Sequence, residues 1–229
     1  HLVLFAPLIL KLQLESGEQY HQALYTLAHQ CGHIEDLKFR DECFPGTILQ
    51  KQYSSQEESI LRQAADVLWE EYAACLKSAI FGPEQSAIYE ECFVSALNNA
   101  RESVNESIRK YRLHGDITRV LEEAGHSLCE PLRMAAYLLG HLDGIGKNWD
   151  TLPNACAALE RSTYQPFIDR LMASLRTMRS ERTLWQSMEV YDPLCDIVRS
   201  VFKHGGLVLS GLPDGSLYVD VPFTSETMP

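Results

Sequence analysis

Several familiar chemical signatures are missing from this sequence. It has no Cys-x-x-Cys pair, which argues against a zinc ribbon or a thioredoxin-like redox pair. It has no Gly-x-Ser-x-Gly turn, the elbow that presents a hydrolase serine, and no Asp-rich metal box. Long apolar runs are also missing. The opening "LVLFAPLILKLQL" is broken at Lys11, far short of the roughly 18 apolar residues a membrane span needs. It lacks the basic leader and small-residue cleavage site of a secretory signal, so it reads as core.

Positive charge is scarce. Lys and Arg number 20 against 31 Asp and Glu, for a formal net charge of −11. Nucleic-acid affinity rests on neutralising phosphates, so this balance disfavours direct nucleic-acid binding. The densest basic stretches, "SIRKYRLH" (Ser107 to His114) and "RTMRSER" (Arg176 to Arg182), read as solvated helix faces. The cysteines are seven, an odd number, spaced without close pairs. A secreted disulfide framework favours an even count, so the expectation is free thiols in a reducing, intracellular compartment, cytoplasmic or nuclear. The Asn105-Glu-Ser107 sequon falls within a predicted helix and carries no weight against this.

What is present is helical periodicity. Leu8 to Leu14 alternates with period two and is read as a strand, although Pro7 suits a helix start. Ser16 and Gln19 resemble a capping box before a helix with Tyr20, Leu24, Leu27 and Cys31 on one stripe. Gly32 is placed just past its end. A short amphipathic piece at Ile34–Phe39 and a turn at "CFPGT" follow. Ser54 or Ser55 caps the clearest helix, with Glu57 or Glu58 three residues on and Leu61, Ala65, Leu68, Tyr72, Cys75 and Ala79 at threes and fours. Gly82-Pro83 breaks it, and Pro83 can open a second long helix carrying Ile88, Cys92, Leu97, Ala100, Val104 and Ile108. Together they read as an antiparallel helical hairpin.

Beyond Gly115 two shorter helices are expected, Ile117–Ala124 and Pro131–Leu142. The glycine-rich stretch Gly140–Pro153 reads as a mobile link, dividing the chain into residues 1–143 and 144–229. Helices are then expected at Asn154–Arg161, Pro166–Glu189 and Pro193–Lys203. A β-hairpin turns at Pro213-Asp214, with Gly215 at positive φ. Leu217, Val219, Val221 and Phe223 form its apolar side, which is expected to dock on the helical body, with the Leu8–Leu14 strand available to pair with it. The fold class read from these elements is mainly α: an irregular helical bundle or α-solenoid-like array of antiparallel helices with a C-terminal β-hairpin.

Three groupings invite a chemical reading. His29, Cys31 and His33 lie within five positions, and His29 to His33 has the i, i+4 spacing of a helical metal pair. Gly32 between them argues instead for a helix C-terminus, where histidine is electrostatically favoured, and a cap is the reading adopted. Glu18…His21 and Glu123…His126 repeat the Glu-x-x-His spacing of carboxylate-bridged di-metal bundles, with Glu70, Glu71, Glu90 and Glu91 available to complete one. About one such spacing arises by chance at this composition, and Gly125 interrupts the second, so those four residues form the alternative site only. "GHLDGIGK" departs from a phosphate loop, because the spacing to Lys147 is off by one and Asn148 replaces the Ser/Thr. Trp149 in the glycine-rich stretch and Tyr218 on the polar side of the last strand are the candidate partner contacts.

These observations predict a non-catalytic interaction or scaffold module without a cofactor. Its partners would be other proteins within a multi-subunit intracellular complex. The alternative is a helical metalloenzyme with a di-metal or haem-type centre.

Overall fold

The computed structural model describes residues 6–46, 52–82 and 84–228. Its α-helices are α1 (Ala6–Leu12), α2 (Glu18–Cys43), α3 (Gln56–Ser78), α4 (Ser86–His114), α5 (Ile117–Ile145), α6 (Pro153–Glu160), α7 (Gln165–Ser180) and α8 (Asp192–His204). Strands β1 (Val208–Gly211) and β2 (Leu217–Asp220) close the chain as an antiparallel hairpin. The protein is mainly α-helical, as the periodicity predicts. None of the described helices is long and apolar enough to cross a membrane.

The N-terminus of α3 forms as its sequence specifies. The Glu58 N–H donates to Ser55 Oγ at 3.1 Å, and the Ser54 N–H and hydroxyl donate back to the Glu58 carboxylate at 2.8 and 2.6 Å. This reciprocal arrangement satisfies backbone donors that a helix start leaves open. Asp116 caps α5 by accepting the Arg119 N–H at 3.1 Å. α4 and α5 end on Gly115 and Gly146, at φ +69° and +68°.

The expected hairpin of two long helices is corrected in one respect. α3 and α4 do not pack side by side, because α5 lies between them and packs on both. The reason is how closely α5 can approach α3. A Cβ on Gly140 would stand 2.3 Å from the Tyr72 carbonyl oxygen, and one on Gly144 would stand 2.5 Å from that of Leu76. Those glycines are therefore contact points within α5, not a mobile link, and the 143/144 division falls inside its last turn. The two helices expected at Ile117–Ala124 and Pro131–Leu142 are one helix. Gly125 is buried against the Phe202 ring, where a Cβ would meet Cζ at 2.9 Å, and Pro131 is buried inside the helix.

The N-terminal segment departs further from expectation. Leu8 to Leu14 is not a strand: Ala6–Leu12 is helical and packs against α2. No strand edge is offered to it, because the C-terminal hairpin sits against α8 and α3. α2 runs through Gly32 to Cys43, merging the two pieces expected there, and begins at Gly17 without a side-chain cap. Cys31 and Cys92, read as stripe residues, are exposed, whereas Cys75 and Cys195 are buried. Pro83 and Thr47, expected at a helix start and in a turn, lie outside the described residues.

A single buried cluster runs from Phe44 through Leu68, Leu97, Leu139 and Val198 to Val221, drawing on both sides of residue 143. α7 stops at Ser180, and short 3₁₀ turns at Arg182–Leu184 and Met188–Tyr191 carry Trp185 and Tyr191 into that cluster. In the hairpin the Gly215 N–H donates to the Leu212 carbonyl at 2.9 Å, with Gly215 at φ +83°. Leu207, Leu209 and Val221 are buried, so the hairpin docks on the body. Phe223 is not part of that apolar side. It is 71% exposed, with the Arg112 guanidinium 4.0 Å above its ring.

Candidate metal centre

α2 buries an unusual stripe against the body: Ala23, Tyr25, His29, Gly32, Asp36 and Arg40. The helix can approach α3 closely at Gly32, where an added Cβ would lie 3.0 Å from the Cα of Ala74. That approach brings the neighbouring turns into reach of polar side chains on α3. His29 and His33, one turn apart, share a face. Their Nε2 atoms are 3.1 Å apart. Glu71 Oε2, from α3, lies 3.3 Å from His29 Nε2 and 3.5 Å from His33 Nε2. Among the described residues this is the one group of three His, Cys, Asp or Glu side chains whose ligand atoms converge as a metal site requires.

The dimensions match a tetrahedral ion. At metal–ligand distances of about 2.0–2.1 Å, two ligand atoms of a tetrahedron stand about 3.3 Å apart. The three separations here are 3.1, 3.3 and 3.5 Å. The chemistry of the donors agrees. Glu71 Oε2 is buried and faces two imidazole nitrogens, so one cation could be bound by all three atoms. Burial pushes the Glu71 carboxyl up, but the contacts of His29, His33 and Tyr137 outweigh it and hold the group well below the usual carboxylate range. The Glu71 contact raises His33 above its ordinary value, against the opposing effect of burial.

The surroundings orient these side chains. The His29 ring stacks on Tyr137, with centroids 5.9 Å apart and planes 8° apart, and meets His33 edge-on. Its other nitrogen, Nδ1, faces Cys75 Sγ at 3.8 Å, so Nε2 is left to point at Glu71. Burial pushes the Cys75 thiol up to about 12, which keeps it protonated and unsuited to act as a thiolate ligand. Cys75 lies against the Tyr25 and Tyr89 hydroxyls, which are themselves 2.7 Å apart. Beyond them, buried His141 accepts the Gln85 N–H on Nε2 at 3.1 Å.

The spacing-based site is not assembled. Glu18 and His21 are exposed on the first turn of α2. Glu123 pairs with Arg119 along α5 at 2.7 Å, and exposed His126 stands 3.9 Å from Glu130. Of the glutamates considered with them, Glu70 holds Arg40 and Glu90 accepts the Ala155 N–H at 2.9 Å. Of those glutamates, Glu71 is the one that faces two histidines. The cap reading of His29 and His33 is overturned, because α2 continues for ten residues beyond His33. Their i, i+4 spacing was the legible signal; the third ligand had none. Trp149 packs edge-on against Phe93, with centroids 5.2 Å apart, and is half-buried. Tyr218 is 57% exposed.

Comparison with protein-family models, with curated proteins and with solved structures finds no match to this chain.

Proposed function

We propose that this chain is a helical metal-binding protein in which His29, His33 and Glu71 hold one divalent ion of the zinc class. The observation that carries the reading is the triangle itself, two imidazole nitrogens and a buried carboxylate oxygen at 3.1, 3.3 and 3.5 Å. Two nitrogens and one oxygen suit zinc or cobalt better than magnesium or calcium, which take oxygen ligands. Three protein ligands leave a fourth position for water, the arrangement that distinguishes open zinc sites from closed ones. The metalloenzyme alternative therefore rests on this single-ion triangle and not on Glu18, His21, Glu123 and His126. The test is metal analysis of protein purified without an affinity tag, followed by zinc and cobalt titration. One ion per chain, abolished by Glu71→Gln, supports the reading; no binding above the variant's level refutes it.

The interaction-module reading has its own support. Ile80 is 73% exposed, Ile88 54% and Phe81 43%, around the connection between α3 and α4. Exposed apolar groups of this size suit contact with another protein, and an intracellular complex remains the setting proposed for it. Cross-linking of the full chain in cells, with Ile80→Asp and Ile88→Asp as comparison, tests it. Unchanged cross-links in the variants would place the contact elsewhere.

A further inference from the structure

The ion site joins two helices, and α2 brings no buried Leu, Ile, Val or Phe to their interface, which sets what the ion does. A helix that docks by the hydrophobic effect buries a stripe of Leu, Ile, Val or Phe. α5 is of that kind, with Val120, Leu128, Leu132, Leu139 and Leu142 buried. α2 is not. Of its six buried residues, three are His29, Asp36 and Arg40, and a fourth is Gly32.

The two halves of α2 are held differently. In the C-terminal half, Asp36 accepts from Trp69 Nε1 and from Arg182, each at 3.0 Å, and pairs with Arg40. Arg40 also reaches Glu70 on α3. Phe39 and then Phe44, just past the helix end, pack on Trp185. That half has both charge and aromatic anchors. The N-terminal half buries Ala23 and Tyr25, the latter beside Gly82, and adds the Tyr25–Tyr89 hydroxyl contact at 2.7 Å, the Gln22–Gln85 contact at 3.2 Å, and the triangle of His29, His33 and Glu71. α1 packs against α2 and buries no residue of its own.

We infer that the ion is a clasp: its binding fastens α1 and the first half of α2 to α3, and its loss releases them as an arm while the rest of the bundle stays folded. This rests on the metal-binding reading. The physical basis is linkage. Two ligands sit on the arm and one on the body, so only the docked state presents all three, and the ion must favour that state by its differential affinity. The coupling is reciprocal: a change that weakens docking must weaken zinc binding by the same factor. In the released state α3 bares Glu71, Ala74 and Cys75 to water, so metal availability controls whether that face is covered.

The test is hydrogen exchange on the full chain, with one equivalent of zinc and with chelator. The expected result is exchange slowed at least about tenfold in peptides from residues 18–33, little change across α4 and α5, and no zinc effect in Glu71→Gln. Tyr25→Phe removes the arm's hydroxyl contact with Tyr89 without touching a ligand atom. It should speed exchange in residues 18–33 and lower zinc affinity together. If zinc binds one per chain but residues 18–33 exchange equally with and without it, the clasp is refuted and the site stands. Loosening of residues 18–33 by Tyr25→Phe at unchanged zinc affinity refutes it too. If neither zinc nor cobalt binds the wild-type chain, the site and the clasp both fall.

Discussion

Gly32 of α2 lies directly against Ala74 of α3, so near that a Cβ at position 32 would meet the Ala74 Cα at 3.0 Å and its carbonyl oxygen at 3.3 Å. Backbone cannot yield as a flexible side chain does. Substituting Gly32→Leu therefore has to move α2 outward, at a cost of about 1–3 kcal/mol for overpacking. The same movement separates His29 and His33 from Glu71. Denaturant unfolding should show the loss of stability, and calorimetric titration should show zinc affinity reduced at least tenfold. Wild-type affinity in this variant would mean the close approach does not position the ligands.

Zinc should raise the melting temperature. A ligand present at 100 times its dissociation constant stabilises by about 2.7 kcal/mol, which for a chain of this size is a shift of about 5–10 °C. Chelator should reverse the shift. His33→Asn, which removes a ligand on the more exposed side of the triangle, should abolish it. A melting temperature independent of zinc at saturating occupancy would show that the ion binds folded and unfolded chain alike.

Leu68 is 1% exposed and sits in the main buried cluster beside Trp69 and Tyr72. Leu68→Ala should cost about 2–5 kcal/mol, measured by urea unfolding. A cost under about 0.5 kcal/mol would mean that α3 does not present this face to the core.

Acid should destabilise the protein through His141. Burial holds this imidazole below its ordinary value; Lys147 pushes it the same way, and Glu84 opposes. Its Nε2 accepts the Gln85 N–H, which a protonated ring cannot do. Because the folded-state value is depressed, the stabilisation is full above the unfolded value of about 6.5 and is lost as pH falls through the folded value. His141→Gln keeps an acceptor but cannot titrate. The difference between wild type and variant should shrink or reverse from pH 7.5 to pH 5. A difference constant over that range would exclude His141 as the titrating group.

Truncation after Gly206 should lower the melting temperature and expose dye-binding apolar surface. It removes Leu207, Leu209 and Val221 from the core, and the backbone acceptors of Val221 and Pro222 from Arg112. It also leaves Glu57 without the Gly211 N–H it accepts at 2.8 Å. An unchanged melting temperature would mean that the hairpin is not part of the body's core.

Local sequence determined those features whose cause is local. Ser55 and Glu58 start α3 because side-chain oxygens three residues apart can satisfy the first amides whatever lies around them. Gly115 ends α4, and Gly215 takes its place in the hairpin turn, because each needs a positive φ that depends on its own backbone alone. Gly32, Gly125 and Pro131 read as breaks by the same logic, and the structure keeps all three inside helices. A glycine that frees φ and a glycine that removes a Cβ look identical in a sequence. Only the partner across the interface, Ala74 for Gly32 and Phe202 for Gly125, distinguishes them. The site divides in the same way. His29 and His33 share a face by helical geometry alone, but the docking of α2 onto α3 chose Glu71 over Glu70 and over the glutamates of α4. That choice was made by the close approach at Gly32, a property of two surfaces and of neither helix by itself.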